Sequence, residues 1–264
     1  MRWSSLPAVR PVVRSITATR SPIQRRLTVS PSAKPIKAIE WVTGKIWILR
    51  MIREFERRPA VPIEQFWAAC LDVMRIDIHT PQTQLENIPA EGPVVIVANH
   101  PHGMVDGMVL AELIGRRRQD YKILTRSLLT GIDLEAASYL IPVPFLHEED
   151  AQEKFLTMRK SAMKQLSAGG VVALFPSGSV AVSDTMFGPS VEAEWNVFTA
   201  KMIRMSGARV VPFFFNGANS RVYQIANQIS ATLRQGLLLH EIVKSCGKPQ
   251  SPVIGAVLDD AEIA

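Results

Sequence analysis

Four polar side chains of the kinds that take part in proton transfer follow an apolar run of the sequence. The run Val94–Ala98 is entirely apolar, and the next eight residues include Asn99, His100, His102 and Asp106. A buried strand that runs into a polar turn places such side chains at the carboxyl end of a sheet, where α/β proteins bind ligands. A histidine there can accept a proton from an attacking hydroxyl, because imidazole exchanges protons near neutral pH. The pattern predicts general-base chemistry at this turn.

Asp106 is a candidate partner for one of the two histidines. It follows His100 by six residues and lies where the first turn of a helix is predicted. Its carboxylate can therefore reach back to the imidazole, select the tautomer and stabilise the imidazolium. Two other interpretations remain open. His102 precedes Asp106 by four residues and would face it if the helix begins early, and the carboxylate could instead stabilise the helix N-terminus.

The pair His100 and His102 also has the spacing of two metal ligands, but no second cluster of ligand residues follows it. The other histidines and both cysteines are scattered along the chain: His79, His147, His240, Cys70 and Cys246. Zinc and similar sites need several closely placed His, Cys or acidic residues, and a disulfide framework needs more cysteines. We therefore predict no metal, no disulfide and a reducing compartment.

Apolar runs of strand length alternate with helical patterns along most of the chain. The predicted strands are Val94–Ala98, Lys122–Thr125, Tyr139–Val143, Val171–Phe175 and Val210–Phe215. Helices are predicted at about 105–116, 150–168, 192–206 and 216–245, with a last strand within 252–264. This alternation indicates an α/β fold, a single domain whose largely parallel or mixed central sheet is flanked by helices.

The segment before the sheet differs in composition. Eight of the 30 Lys and Arg residues lie in the first 39 positions, which contain no acid, and the rest of the chain is close to neutral. We predict a basic, irregular arm at 1–35, helices at 36–75 and the α/β domain at 76–264. The arm could be a solvated tail, a contact for anionic lipid head groups or an organelle transit peptide. It lacks the interleaved aromatic residues of a nucleic-acid-binding segment.

Residues 36–58 are predicted to form a helix with apolar side chains most of the way around, including Trp41, Trp47 and Phe55. Such a helix either packs on the domain or lies in a bilayer interface. A second helix is predicted at Ile63–Val73. The chain has no uninterrupted apolar run of about 18 residues, so we predict no full membrane span. Its first 20 residues lack the apolar core of a secretory signal.

Four parts of the chain, in order, resemble the sequence blocks of the glycerophospholipid (lysophospholipid) acyltransferase superfamily. They are Asn99–Asp106, Lys122–Leu129 with Ile141–Pro144, Leu174–Ser179 and Val211–Arg221. The first block has five residues between its His and Asp where the better-known form has four. That variant is similar to a bacterial hemolysin-like branch, which includes acyl-carrier-protein-dependent enzymes of ornithine lipid synthesis. The resemblance covers roughly residues 70–255.

The resemblance implies a reaction and its participants. His100 would be the general base for the hydroxyl of an acceptor, Asp106 would orient His100, and the hydroxyl would attack an acyl thioester with no acyl-enzyme intermediate. Acyl-carrier protein or acyl-CoA would be the co-substrate, without a cofactor. The oxyanion needs preorganised donors, and the backbone N–H groups near Gly178 and Ser179 are candidates. The substrate-binding residues that it implies are Asn99, His102, Gly103, Arg126, Phe175, Pro176, Ser177, Gly178, Ser179, Asn219 and Arg221.

The third block departs from the superfamily's pattern. Ser177 stands where glycerol-phosphate enzymes have a Glu, and Val180 follows where they carry a nearby Arg. The usual Arg near the end of the second block is also missing, and Arg126 lies upstream of it. Because a phosphate needs fixed cationic or N–H partners, these departures disfavour glycerol-phosphate acceptors and favour a lyso-aminolipid such as lyso-ornithine lipid.

Two groups of candidate residues also have an ordinary structural interpretation. Arg221 could bind a carboxylate or phosphate, or it could be a surface residue. Phe175 and the run Phe213–Phe215 fit a buried strand better than an acyl-binding pocket. Residues 176–179 do not form the G-x-S-x-G elbow of a serine hydrolase, which argues against a nucleophilic serine.

Together, these observations predict an O-acyltransferase of membrane lipid biosynthesis that acts on a lyso-ornithine lipid or a lysophospholipid. We expect it to lie peripherally on the cytoplasmic face of a bacterial inner membrane, or on an organelle membrane if the arm is a transit peptide. Its partners would be membrane lipids and acyl-carrier protein or acyl-CoA, with no nucleic acid. The alternatives are a hydrolase of lipid esters or thioesters, and a non-catalytic membrane-binding protein on the same scaffold.

Overall fold

The computed structural model describes residues 44–126, 136–145, 148 and 150–259. The basic arm at 1–35, the first part of the helix predicted at 36–58, and residues 260–264 lie outside the described residues. Positions 127–135, which include the end of the second block, and His147 also lie outside them.

A six-stranded sheet forms the centre of the described chain. The strands, in chain order, are β1 (Val94–Ala98), β2 (Tyr121–Arg126), β3 (Leu140–Val143), β4 (Val171–Leu174), β5 (Val182–Ser183), β6 (Ser190–Val191), β7 (Arg209–Phe214) and β8 (Val253–Ile254). The main sheet has the order β3-β2-β4-β1-β7-β8 and is parallel except for β8, which pairs antiparallel with β7. Strands β5 and β6 form a separate antiparallel hairpin. The predicted α/β fold with a largely parallel or mixed sheet is confirmed.

Helices cover both faces of this sheet. They are α1 (Ile46–Arg57), α2 (Phe66–Val73), α3 (Gln82–Leu85), α4 (Met104–Gly115), α5 (Ala151–Ser167), α6 (Val197–Ser206), α7 (Arg221–Ile229), α8 (Ala231–Gly236) and α9 (Leu238–Ser245). Within β1, Val94, Ile96 and Ala98 join the apolar cluster on the α4 side, whereas Val95 and Val97 join the cluster on the α5 and α6 side. All five residues of β1 are buried, which explains why the strand is an unbroken apolar run.

Helices α1 and α2 pack on the same apolar cluster as α4. Ile48 and Leu71 are buried in this cluster, and Met51 and Ile52 pack against it, whereas Trp47 is 59% exposed. Residues 48, 51 and 52 form one stripe of a helix, so the described part of the predicted 36–58 helix has one buried face. None of the helices in the described part of the chain is long and apolar enough to cross a membrane.

Two helix predictions differ from the structure because polar caps divide the segments. The helix predicted at 192–206 begins only at Val197, since Asn196 is its N-cap and accepts the Phe198 N–H at 2.8 Å. The helix predicted at 216–245 is three helices, α7, α8 and α9. Ser220 and Ser230 are the N-caps of α7 and α8, and Ser230 has extended backbone angles that interrupt the helix. The hairpin β5–β6 was not predicted, because strands of two residues carry little sequence signal.

Candidate active site

The predicted histidine–aspartate cluster lies at the carboxyl end of β1, in the turn that leads into α4. Asp106 is in the first turn of α4 and is completely buried. Its Oδ2 is 3.1 Å from Nδ1 of His100, and its Oδ1 is 2.9 Å from Nδ1 of His102. The sequence left open which histidine Asp106 would contact, and in the structure it contacts both.

Backbone donors complete the surroundings of the Asp106 carboxylate. Its Oδ2 accepts the N–H of His102 at 2.8 Å and the N–H of Gly103 at 3.0 Å. Gly103 precedes the helix with φ of 86°, a conformation that glycine adopts without strain. Asp106 therefore also holds the helix N-terminus, so the capping role is present together with the contact to His100.

The contacts around Asp106 favour its ionised form. Burial raises the pKa of Asp106, but the hydrogen bonds with His100 and His102 and the charge of these two side chains lower it by more, and the net pKa lies below its usual value. An ionised carboxylate can only accept hydrogen bonds. Whenever one of these imidazoles is neutral, its proton therefore lies on Nδ1 and Nε2 carries the lone pair, which is the form that a general base requires.

A second contact restrains the imidazole of His100. The ring of Phe175 is stacked on it, with centroids 3.9 Å apart and an angle of 23° between the planes. Strand β4 ends at Leu174, one residue before its predicted end, and Phe175 follows it directly. The ring of Phe175 also packs against Phe215, with the two centroids 6.5 Å apart. Phe213 and Phe215 are buried, as expected for a strand, whereas Phe214 is 56% exposed.

Asn99 links the ends of two strands beside this stack. Its Nδ2 donates to the carbonyl of Phe215 at 2.8 Å, and its Oδ1 accepts the N–H of Phe215 at 2.7 Å. These bonds continue the pairing of β1 with β7 beyond the last residue of β1. Asn99 was predicted to bind substrate, but its side chain hydrogen-bonds to the backbone of Phe215 and so positions the turn that carries His100.

Residues 175–179 of the third block form a turn against His100. The N–H of Gly178 donates to the carbonyl of Phe175 at 2.9 Å, and the N–H of Ala181 donates to the carbonyl of His100 at 2.8 Å. Gly178 was a candidate oxyanion donor, and in this structure its N–H is bonded within the turn. The N–H of Ser179 has a long contact, 3.5 Å, with Ser177 Oγ.

Arg126 reaches the same turn from the end of β2. One of its terminal nitrogens donates to the carbonyl of Gly178 at 3.0 Å, and its guanidinium carbon lies 4.9 Å from the ring centroid of Phe145. The side chain is otherwise exposed. The structure thus brings this predicted residue beside the third block, and among the described residues its guanidinium has no other hydrogen bond.

Residues of the fourth block are divided between the site and the neighbouring hairpin. A Cβ atom on Gly217 would lie 2.9 Å from Nε2 of His102, and Gly217 has φ of 105°. Asn219 is buried, and its Nδ2 has no hydrogen-bond partner among the described residues. Arg221 donates to the carbonyl of Gly188 at 2.6 Å, so it holds the loop between β5 and β6. This bond agrees with the interpretation of Arg221 as a structural surface residue.

Glu192 is a site residue that sequence reasoning missed. Ser177 Oγ donates to Oε1 of Glu192 at 2.8 Å. Burial raises the pKa of Glu192, and the hydrogen bonds with Ser177 and Trp195 offset part of that effect. The sequence has no signal for this contact, because the hairpin β5–β6 must first return the chain to the third block. The Glu192 carboxylate therefore contacts Ser177, the position at which the third block lacks a Glu.

No group of three or more His, Cys, Asp or Glu side chains that could hold a metal ion occurs in the part of the chain that the structure describes. Cys70 and Cys246 do not form a disulfide. The two histidines of the first block each direct Nδ1 at Asp106, and this geometry explains their spacing without a metal.

The protein has an α/β fold, and an imidazole held by a carboxylate lies at the end of a central strand of its sheet. This arrangement defines a protein that can use histidine as a general base. The chain belongs to the acyltransferase family, whose family model matches residues 34–243. That match includes every residue of the site described above. The predicted resemblance to the lysophospholipid acyltransferase superfamily is thereby confirmed.

Two curated relatives are lyso-glycine lipid O-acyltransferases. The protein from Phocaeicola vulgatus is 28% identical over 169 residues, which cover 61% of this chain and 55% of that protein. The protein from Bacteroides thetaiotaomicron is 30% identical over 173 residues, which cover 63% of this chain and 58% of that protein. The chain thus matches little more than half the length of these relatives.

Among solved structures, the 1-acyl-sn-glycerophosphate (LPA) acyltransferase PlsC from Thermotoga maritima is similar. The similarity covers 91% of this chain and 77% of that one, with 14% identity and a TM-score of 0.46.

Proposed function

We propose that this protein is a lyso-lipid O-acyltransferase that transfers a fatty acyl group from a thioester to an acceptor hydroxyl. The observation that carries the proposal is the fixed imidazole of His100, with Nδ1 at Asp106 and the ring stacked on Phe175. Membership of the acyltransferase family and the names of the two relatives support the reaction class.

The proposed reaction proceeds through a tetrahedral intermediate. The acceptor hydroxyl gives its proton to Nε2 of His100 while its oxygen forms a bond with the thioester carbon, whose carbonyl oxygen becomes an oxyanion. Asp106 stabilises the imidazolium that results. The oxyanion then reforms the carbonyl, the C–S bond breaks, and the departing thiolate takes the proton from His100. The products are an ester and a free thiol, and the imidazole is neutral again.

The proposed acceptor is a lyso-lipid with an amino-acid head group, such as lyso-ornithine lipid, with a lysophospholipid as the alternative. The lyso-glycine lipid relatives support this class of acceptor. Arg126 also supports it, because its exposed guanidinium at the edge of the third block suits a carboxylate. The proposed acyl donor is acyl-carrier protein or acyl-CoA, and no cofactor takes part.

We place the protein peripherally on the cytoplasmic face of a bacterial inner membrane. Its proposed acceptor and product are both membrane lipids. We propose that it contacts one leaflet.

The test is an acyl-transfer assay in detergent micelles. Labelled acyl-carrier-protein thioester and labelled acyl-CoA are each offered with a panel of lyso-lipids to wild type, His100→Ala and Asp106→Asn. We expect a lipid ester from wild type and a loss of at least about 100-fold in both variants. His79→Ala is the matched control, because His79 is an exposed histidine outside the site.

Each outcome separates the alternatives. Free fatty acid released at the same rate with and without a lyso-lipid would replace the proposal with a hydrolase. Normal binding to liposomes without turnover on any donor would indicate a non-catalytic protein. Full activity of His100→Ala would overturn the assignment of the general base.

A further inference from the structure

The carboxylate of Glu192 lies beside the third block. Its Oε1 accepts the hydroxyl of Ser177 at 2.8 Å, and the side chain of Trp195 also forms a hydrogen bond with it. The strand-like segment that carries Glu192 is tied to the turn a second time, since the N–H of Asn196 donates to the carbonyl of Pro176 at 3.0 Å. Glu192 is therefore held in place and is partly buried.

The segment around Ser177 also contacts the base. On one side of Ser177 the ring of Phe175 is stacked on the His100 imidazole, and on the other side the N–H of Ala181, just after the third block, donates to the His100 carbonyl. Ser177 lies between these two contacts and directs its hydroxyl at Glu192. An acceptor with its reacting hydroxyl at Nε2 of His100 would accordingly extend past the Ser177–Glu192 pair.

The charge of Glu192 has no protein counterpart. No Lys or Arg forms an ion pair with it among the residues that the structure describes, and the donors that it has, Ser177 and Trp195, are neutral. A carboxylate offers about four acceptor positions, of which these two donors fill part. A partly buried anion without a cation is costly, and a cationic ligand at this position would remove that cost.

We propose that Glu192 binds the ammonium group of the acceptor's head group and so selects lyso-lipids whose head group carries an ammonium. Trp195 supports this role, because it hydrogen-bonds to Glu192 and remains 50% exposed, and an aromatic face beside a carboxylate suits an ammonium ion. Arg126, on the other side of the third block, is available for a carboxylate of the same head group. The inference rests on the proposed function, since it assigns one group of that reaction's acceptor.

The test compares two acceptors that differ in one charge. N-(β-hydroxyacyl)-ornithine and N-(β-hydroxyacyl)-norvaline have the same carboxylate, amide and hydroxyl, and only the former carries a terminal ammonium. The quantity measured is the ratio of kcat/KM for the two acceptors, which does not depend on the fraction of enzyme that is folded. Wild type, Glu192→Gln, Glu192→Lys and Glu194→Gln are compared in mixed micelles.

We expect wild type to prefer the ornithine acceptor and Glu192→Gln to lose about 10- to 100-fold of that preference, as for a hydrogen bond to a charged group. In Glu192→Gln the amide keeps an oxygen that can accept the Ser177 hydroxyl. Glu192→Lys should reverse the preference, so that the norvaline acceptor is used better than the ornithine acceptor. Glu194→Gln removes the same charge two positions away, at an exposed residue, and should keep the wild-type ratio.

Two results would overturn the inference. If Glu192→Gln keeps the wild-type ratio, or lowers activity on both acceptors equally, Glu192 only shapes the Ser177 turn and the proposed function still stands. If wild type acylates neither these acceptors nor any other lyso-lipid, the proposed function fails and this inference fails with it.

Discussion

The ring of Phe175 lies almost flat on the imidazole of His100, with the centroids 3.9 Å apart. Asp106 restrains the same imidazole through Nδ1. A hydrogen bond fixes one atom of a ring but leaves it free to tilt, and a stacked neighbour removes that freedom. The two contacts together determine where Nε2 points, which is what an efficient general base requires.

Phe175→Ala should lower kcat about tenfold, because loss of the stack allows the imidazole to tilt away from the acceptor hydroxyl. The change is measured as kcat under saturating donor and acceptor. Phe214→Ala is the control, since Phe214 is an exposed phenylalanine of β7. Equal losses in both variants would show that the stack on His100 has no special role.

His102→Ala should lower kcat/KM about tenfold, whereas His100→Ala should abolish transfer. The side chain of His102 contributes one hydrogen bond to Asp106 at 2.9 Å, and its removal leaves the bond between Asp106 and His100 in place. Steady-state kinetics of the two variants decide between the two histidines. If His102→Ala is the inactive variant and His100→Ala retains activity, the base has been assigned to the wrong residue.

Asp106→Asn should destabilise the fold near neutral pH by about 1–3 kcal/mol, because the buried carboxylate accepts four hydrogen bonds from His100, His102 and Gly103. The pKa of Asp106 is lowered in the folded state, so the stability from its ionisation is fully present above the ordinary value of 3.8 and is lost as the pH falls through the lower folded value. The difference in free energy of unfolding between wild type and variant should therefore shrink only under acid conditions.

The measurement for Asp106 is urea unfolding of wild type and Asp106→Asn over a series of pH values. A difference that grows as the pH falls below 3.8 would contradict the lowered pKa of this carboxyl.

Gly217→Ala should reduce activity about tenfold, since its Cβ would lie 2.9 Å from Nε2 of His102 and would displace that ring. Backbone strain also follows from φ of 105° at this position. Gly169→Ala is the matched control, because Gly169 has φ of 82° and its Cβ would meet nothing within 4 Å. Both variants should lose thermal stability, and only Gly217→Ala should lose activity per folded molecule.

Several parts of the site could be predicted from local sequence. The apolar run of β1, the polar turn after it and the carboxylate in the first turn of α4 lie within 13 consecutive residues, 94–106. Over so short a distance the geometry follows from the strand and the helix, so His100 and Asp106 were paired correctly. The same reasoning could not choose between His100 and His102, because a carboxylate has two oxygens and both imidazoles reach it.

Other contacts depended on how distant segments return to one another. Strand order places the end of β4 beside the end of β1, which brings Phe175 onto His100. The hairpin β5–β6 returns the chain so that Glu192 meets Ser177, and the same hairpin takes up Arg221 through the Gly188 carbonyl. The fold class and the local histidine–aspartate turn followed from the sequence, because apolar periodicity and short-range geometry act within a single element. The side chains that surround that turn did not, because strand pairing and helix packing, not spacing along the chain, set the distances between residues far apart in sequence.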